Sequence, residues 1–234
     1  MAAAGAVGVL RYCRFPALGL PSGQLRMADS STIFALSSGH GRAGLAVIRL
    51  SGPAAGTALT ALTGALPKPR FAALRLIRDP DTRELLDQGL VLWFPGPKSE
   101  TGEDMAELHV HGGRAVIAGV LAALGRIAGC RMAEPGEFAR RGFENGKLDL
   151  TGVEGLADLV EAETAAQRRQ ALGQAGGKLY RLYEGWRQRL IGAMAQLEAA
   201  IDFSDEPDVA KGTANRARGE VKALAADISQ HLDD

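Results

Sequence analysis

With 234 residues and 46% apolar side chains, the chain can bury one large core or two small ones. Lys plus Arg and Asp plus Glu number 27 each, so the net charge is zero, and strong phosphate-driven binding of nucleic acid by this chain alone is disfavoured. Cys13 and Cys130 are too distant and too unlike in context for a disulfide framework and point to a reducing compartment, and no run approaches the ~20 apolar residues of a membrane-spanning helix.

Residues 1–26 contain no acid but carry Arg11, Arg14 and Arg26 among small residues, the look of an organelle-targeting leader. Pro16, Gly19 and Pro21 would break its helix, so Met27 is preferred as the true start and 1–26 are left out of the fold. From Thr32 to Ser51, TIFALSS and GLAVIRL predict two strands around the glycine-rich turn GHGRAG. Gly52-Pro53 opens a short helix that Gly64 closes. FAALRLI (71–77) and LDQGLVLWF (86–94) predict two more strands joined by the polar loop RDPDTRE. MAELHVH (105–111) alternates as a half-buried strand, and 114–128 form a largely apolar helix that packs on the sheet. Cys130, flanked by apolar residues, reads as a small core residue rather than a nucleophile.

Beyond Gly152 only helices are expected. Val153, Leu156, Ala157, Val160 and Thr164 share one face, with Glu154, Asp158 and Glu161 beside it. Leu172, Ala175, Leu179, Leu182, Trp186, Leu190, Met194, Leu197 and Ile201 recur every three or four residues, predicting one long helix kinked at Gly176-Gly177. It runs into the acidic DFSDEP (202–207), and a last helix carries Val221, Leu224, Ile228 and Leu232. The fold class is therefore an α+β domain with a mixed sheet at 27–150, followed at 151–234 by an incomplete all-α bundle. So few apolar helices cannot bury all their stripes against one another, which points to a fragment or to helices from another chain.

Three glycine-punctuated blocks gather the residues able to do chemistry: GHGRAGLAVIRLSGP (39–53), WFPGPKSETGEDMAELHVHGG (93–113) and AEPGEFARRGFENGKLDLTGVEGLADLVEAET (133–164). Glu103 and Asp104 suit a solvated turn. Glu107, in an otherwise apolar alternation, must face solvent or meet a paired donor such as a pterin or guanine edge; pattern alone favours solvent. His109 and His111 lie on one strand face, a weak metal signal without a third ligand, and His111 suits a turn in which it bonds backbone. Arg49 ends its strand and Lys147 projects from the Asn145-Gly146 turn near Arg140 and Arg141; such cations suit carboxylate or phosphate groups, or equally plain surface ion pairs. The 234 residues contain no G-x-x-x-x-G-K-[ST] loop, no G-x-S-x-G elbow and no C-x-x-C pair.

In order, these blocks and LEAAIDFSDE resemble the N-terminal part of the MnmE (TrmE) family of tRNA-modification GTPases, over roughly residues 30–208. The resemblance implies an α+β domain that forms a homodimer and binds a reduced folate, 5-formyl- or 5,10-methylene-tetrahydrofolate, much as the folate module of glycine-cleavage aminomethyltransferases does. It places the folate contacts on Arg49, Glu107 and Lys147, with no catalytic or metal-binding residue assigned. It also implies that a GTPase domain, holding GTP, magnesium and potassium, is inserted in the helical bundle beyond Asp234, so that this chain alone is not expected to hydrolyse GTP. The family works in the cytoplasm with the flavin-dependent MnmG and tRNA, without a membrane, to modify carbon 5 of the wobble uridine; organelle import through 1–26 is the alternative location. Competing readings are a stand-alone folate-dependent aminomethyltransferase, separable by methylene transfer to an amine, and a non-catalytic helical interaction module, separable by lack of folate binding.

Overall fold

The computed structural model describes residues 31–39, 41–202 and 207–233. The expectations for residues 1–26, and for 203–206 of the acidic stretch, lie outside the described residues. The chain divides into two compact units between Leu148 and Asp149.

The first unit is built on a six-stranded sheet. Its strands are β1 (Thr32–Leu36), β2 (Ala43–Ser51), β3 (Ala73–Arg78), β4 (Leu85–Phe94), β5 (Met105–Gly112) and β6 (Cys130–Met132), in the order β3-β4-β5-β2-β1-β6. Only β1 and β6 pair in parallel, so the sheet is mixed. Strand alternation decides what each face does. Ala46, Ile48 and Leu50 of β2 and Ala106, Leu108 and Val110 of β5 point into the core. There they meet Leu59 and Leu62 of α1 (Ala55–Thr63) and Val120 and Leu124 of α2 (Arg114–Gly125). The odd-numbered residues Val47, Arg49, Glu107 and His109 therefore stand on the opposite face. On that face Leu74 and Leu76 of β3, Leu90 of β4 and Leu45 of β2 are exposed.

Two elements of this unit carry no clear sequence signal. Strand β6 is only three residues long. Helix α3 (Glu137–Glu144) is only eight residues long and buries Glu137, Arg141 and Gly142, so its buried face is not an apolar one. Cys130 lies on β6, half-buried against the core as expected; burial pushes its thiol pKa up, which suits an inert side chain.

The second unit is helical throughout its described residues: α4 (Leu150–Glu161), α5 (Ala165–Ala175), α6 (Lys178–Asp202) and α7 (Pro207–Leu232). Asp149 caps α4 by accepting the Gly152 N–H at 2.8 Å. Thr164 does not extend the α4 face, as the periodicity suggested. It caps α5 in a reciprocal pair with Gln167. The expected long helix is likewise two helices, broken at Gly176-Gly177. Helix α4 packs on α5, and α6 on α7. Trp186 of α6 meets His231 of α7 edge-on at 5.4 Å, and Arg189 reaches Glu220 at 2.5 Å and also Asp227. The predicted stripe is largely uncovered: Leu172, Leu190, Met194, Leu197, Ile201, Val221 and Leu232 are all exposed. None of the described helices is long and apolar enough to cross a membrane.

Candidate functional site

The open face of the sheet carries a row of cross-strand neighbours, Ala35, Arg49, Glu107 and Leu92, in register across β1, β2, β5 and β4. Arg49 and Glu107 are directly opposed, the placement in which side chains of unlike charge interact. Arg49 Nε and Nη2 both donate to Glu107 Oε1, at 3.1 and 2.9 Å. Glu107 Oε2 lies 3.1 Å from His109 Nε2. The Glu107 side chain is only 16% exposed, which corrects the solvated-face expectation. With two donors on Oε1 and one on Oε2, the unused acceptor capacity of this carboxylate lies on Oε2. The third nitrogen, Arg49 Nη1, is held at 2.8 Å by Oε2 of Glu100, which is more exposed. One guanidinium thus faces two carboxylates.

Glu100 belongs to the loop between β4 and β5, and so do Glu103 and Asp104. Neither of the latter is solvated in the way that a turn suggests. Asp104 Oδ1 accepts the Gly96 N–H at 2.9 Å, and its carbonyl accepts the Gly52 N–H at 2.9 Å. Glu103 Oε2 accepts from Ser51 Oγ at 2.6 Å, and Arg141 Nη1 lies 3.2 Å from each Glu103 oxygen. Ser51 Oγ also pairs with the buried Thr101 hydroxyl at 2.7 Å. Arg141 further donates to Glu137 Oε1 at 3.0 Å and to the Ser31 carbonyl at 2.9 Å. Of the two arginines noted near Lys147 in the sequence, Arg141 is therefore a buried strut and Arg140 a half-exposed surface residue.

Glu137 is itself nearly fully buried. Burial pushes its pKa up, but hydrogen bonds from Arg131, the Glu134 N–H and Arg141 outweigh this and hold the carboxyl at about 2.

Lys147 follows α3 on the Asn145-Gly146 turn and is exposed. Its aliphatic stem lies over Gly102 of the same loop, which has φ +82°; a Cβ at Gly102 would sit 3.2 Å from Lys147 Cε and 3.0 Å from Asn145 Cβ. Asn145 Nδ2 donates to the Thr101 carbonyl at 2.8 Å. Lys147 makes no ion pair among the described residues. Arg49 and Glu107 are thus in direct contact, while Lys147 joins them through the loop that carries Glu100.

The histidines serve a different purpose from the one expected. His111 donates its backbone N–H to Asp87 Oδ2 at 2.7 Å, and its ring Nδ1 pairs with Oδ1 at 2.8 Å, so its partner is a carboxylate on β4. Among the described residues, no three His, Cys, Asp or Glu side chains gather as a metal site would need.

Two family models account for most of the chain. The GTP-binding protein TrmE N-terminus matches residues 32–147, and the MnmE helical domain matches residues 150–234. The chain belongs to the MnmE (TrmE) family. Among MnmE-family relatives, the tRNA modification GTPase MnmE of Beijerinckia indica subsp. indica is 56% identical over 212 residues, 91% of this chain and 47% of its own length. The human mitochondrial 5-taurinomethyluridine-[tRNA] synthase subunit GTPB3 is 54% identical over 236 residues, 100% of this chain and 47% of its own. The MnmE of Paramagnetospirillum magneticum is 60% identical over 206 residues, 88% and 46% respectively. The chain spans about half the length of these curated relatives. The first family model covers the whole loop-and-sheet site, from Arg49 to Lys147.

Sequence reasoning singled out Arg49, Glu107 and Lys147 but missed Glu100, Ser51, Thr101 and Asn145 as their supports. The one available signal for the buried network was the i,i+4 spacing of Glu137 and Arg141.

Proposed function

We propose that this chain is the N-terminal portion of a tRNA wobble-uridine modification GTPase, and that its α+β unit binds a reduced folate, 5-formyl- or 5,10-methylene-tetrahydrofolate, at Arg49, Glu107 and Lys147. The observation that carries the reading is the half-buried Arg49–Glu107 pair on the open sheet face, next to a loop over which Lys147 lies with no ionic partner among the described residues. The donor set suits the ligand. Glu107 has acceptor capacity on Oε2 for an N–H of a pterin edge, and it accepts a second N–H if Arg49 yields one of its two bonds to Oε1. Lys147 and Arg49 suit the acceptor and carboxylate groups of such a molecule. When bound, the folate supplies the one-carbon unit for the group built at carbon 5 of the uridine.

The relatives' names, tRNA modification GTPase and 5-taurinomethyluridine-[tRNA] synthase subunit, support the tRNA part of the reading. GTP, magnesium and potassium are assigned to a GTPase domain outside these residues, and tRNA and the flavin-dependent MnmG to the larger assembly. A homodimer through the α+β unit is the proposed state, supported by the exposed leucines on the open face. A cytoplasmic location accompanies this reading, with the mitochondrial relatives making the organelle the alternative.

Calorimetric titration of 5-formyltetrahydrofolate into the chain, with the Glu107→Ala variant alongside, tests the proposal. Saturable binding that the variant loses is expected. A folded chain that takes up no folate would overturn the reading.

A further inference from the structure

Arg49 and Glu107 come from adjacent strands, so the sheet alone holds them together. Lys147 has no such anchor. It sits on a turn beyond α3, a helix of eight residues that follows β5 only after α2 and β6 and belongs to neither β2 nor β5. A lysine stem is flexible, so its ammonium is useful to a ligand only if the turn beneath it is held in register with the sheet.

Four contacts do this, and they converge on Arg141. Its side chain is 6% exposed. In one direction it reaches the loop, through both oxygens of Glu103; Ser51 of β2 holds the same carboxylate, two residues along the strand from Arg49. In the other it reaches its own helix through Glu137 and the start of β1 through the Ser31 carbonyl. The loop and the helix then meet twice more. Asn145 holds the Thr101 carbonyl, and Gly142 lies so close that a Cβ there would be 3.3 Å from the Glu100 carbonyl oxygen. Lys147 closes the arrangement by lying over Gly102, while its N–H bonds Gly142 at 2.7 Å.

Ion pairs removed from water contribute little to net stability, because desolvation offsets the attraction. What a multiply bonded guanidinium does supply is direction, since its donors lie in one plane at fixed angles. We propose, on the basis of the folate reading above, that Arg141 is the positioning residue of the ligand site. It locks the Glu103 loop to helix α3, so that Lys147 is placed relative to Arg49 and Glu107. It does not touch the ligand.

The test is a set of folate titrations on the whole chain, with thermal melts as the control for folding. Arg141→Lys keeps a charge near Glu137 but cannot span both carboxylates and the Ser31 carbonyl. Glu103→Gln leaves Arg141 in place and removes the charge that the loop offers it, and it serves if the arginine variant folds poorly. Each is expected to weaken 5-formyltetrahydrofolate binding about tenfold, and Glu103→Gln is expected to cost nothing further once Lys147 is already alanine. That non-additivity is what a purely structural role would not produce. Wild-type affinity in a folded Arg141→Lys or Glu103→Gln protein, or losses that simply add to that of Lys147→Ala, would overturn the positioning role. If Lys147→Ala alone leaves affinity unchanged, Lys147 is no contact and the role falls with it. If the unsubstituted folded chain binds no folate, the folate reading itself falls first.

Discussion

Arg49 is shared between Glu107, which it contacts twice, and Glu100, which it contacts once from an exposed loop position. Exposed pairs of the second kind are weak, about 0–1 kcal/mol. Glu100→Gln is therefore expected to leave the fold intact and to tighten binding of a ligand whose anionic or carbonyl group uses Arg49, by about threefold in a calorimetric titration. Weaker binding would show that Glu100 helps to form the site instead of competing within it. Gly102→Ala places a methyl group against Lys147 and Asn145 at positive φ, so it is expected to weaken folate binding even though no contact residue changes. Glu137 makes a different prediction. Its folded pKa of about 2 lies below the ordinary 4.5, so its ionised pairing contributes fully above about pH 4.5 and is lost as pH falls through about 2. Acid titration of stability should show that loss, and Glu137→Gln, which removes the titrating carboxyl, should abolish it while costing about 3 kcal/mol at neutral pH.

At the scale of elements, the strands are where expectation and structure agree best, because alternation is a direct consequence of which side chains a two-sided sheet can bury. The Arg49–Glu107 pair was half legible for that reason: both residues interrupt apolar runs, but their opposition depends on the β2–β5 register. Helix α3 was not legible, since it is short and two of the three residues it buries, Glu137 and Arg141, are charged. In the helical unit, glycine sets the closest approach. A Cβ on Gly155 of α4 would lie 2.6 Å from the Ala175 nitrogen and 2.7 Å from Gln174 Cβ of α5. Backbone cannot give way as a side-chain tip can, so Gly155→Ala is expected to force α4 and α5 apart. It should lower the thermal midpoint although alanine is the better helix former. An unchanged or raised midpoint would show that the helices slide past each other freely.

For the molecule as a whole, the two units have the same surplus: apolar side chains that their own elements do not cover. Leu45, Leu74, Leu76 and Leu90 face outward from the sheet, and Leu190, Met194, Leu197 and Ile201 from α6. Exposed apolar patches of this kind mark contact surfaces. Light scattering is expected to show self-association, and Leu74→Lys with Leu90→Lys should shift the distribution toward monomer if the sheet face carries the dimer. A monomer at all concentrations, without substitution, would sink the homodimer proposal. By itself, the sequence determined the α+β-then-helical order, most strand positions and the family, because periodicity and ordered motifs are local properties of the chain. It could not determine that Glu103 pairs with the buried Arg141, that Glu100 also pairs with Arg49, or that Lys147 rests on Gly102. Those facts arise only when loop, sheet and helix, distant in sequence, close on one another and each charge finds the partner that the fold has brought within reach.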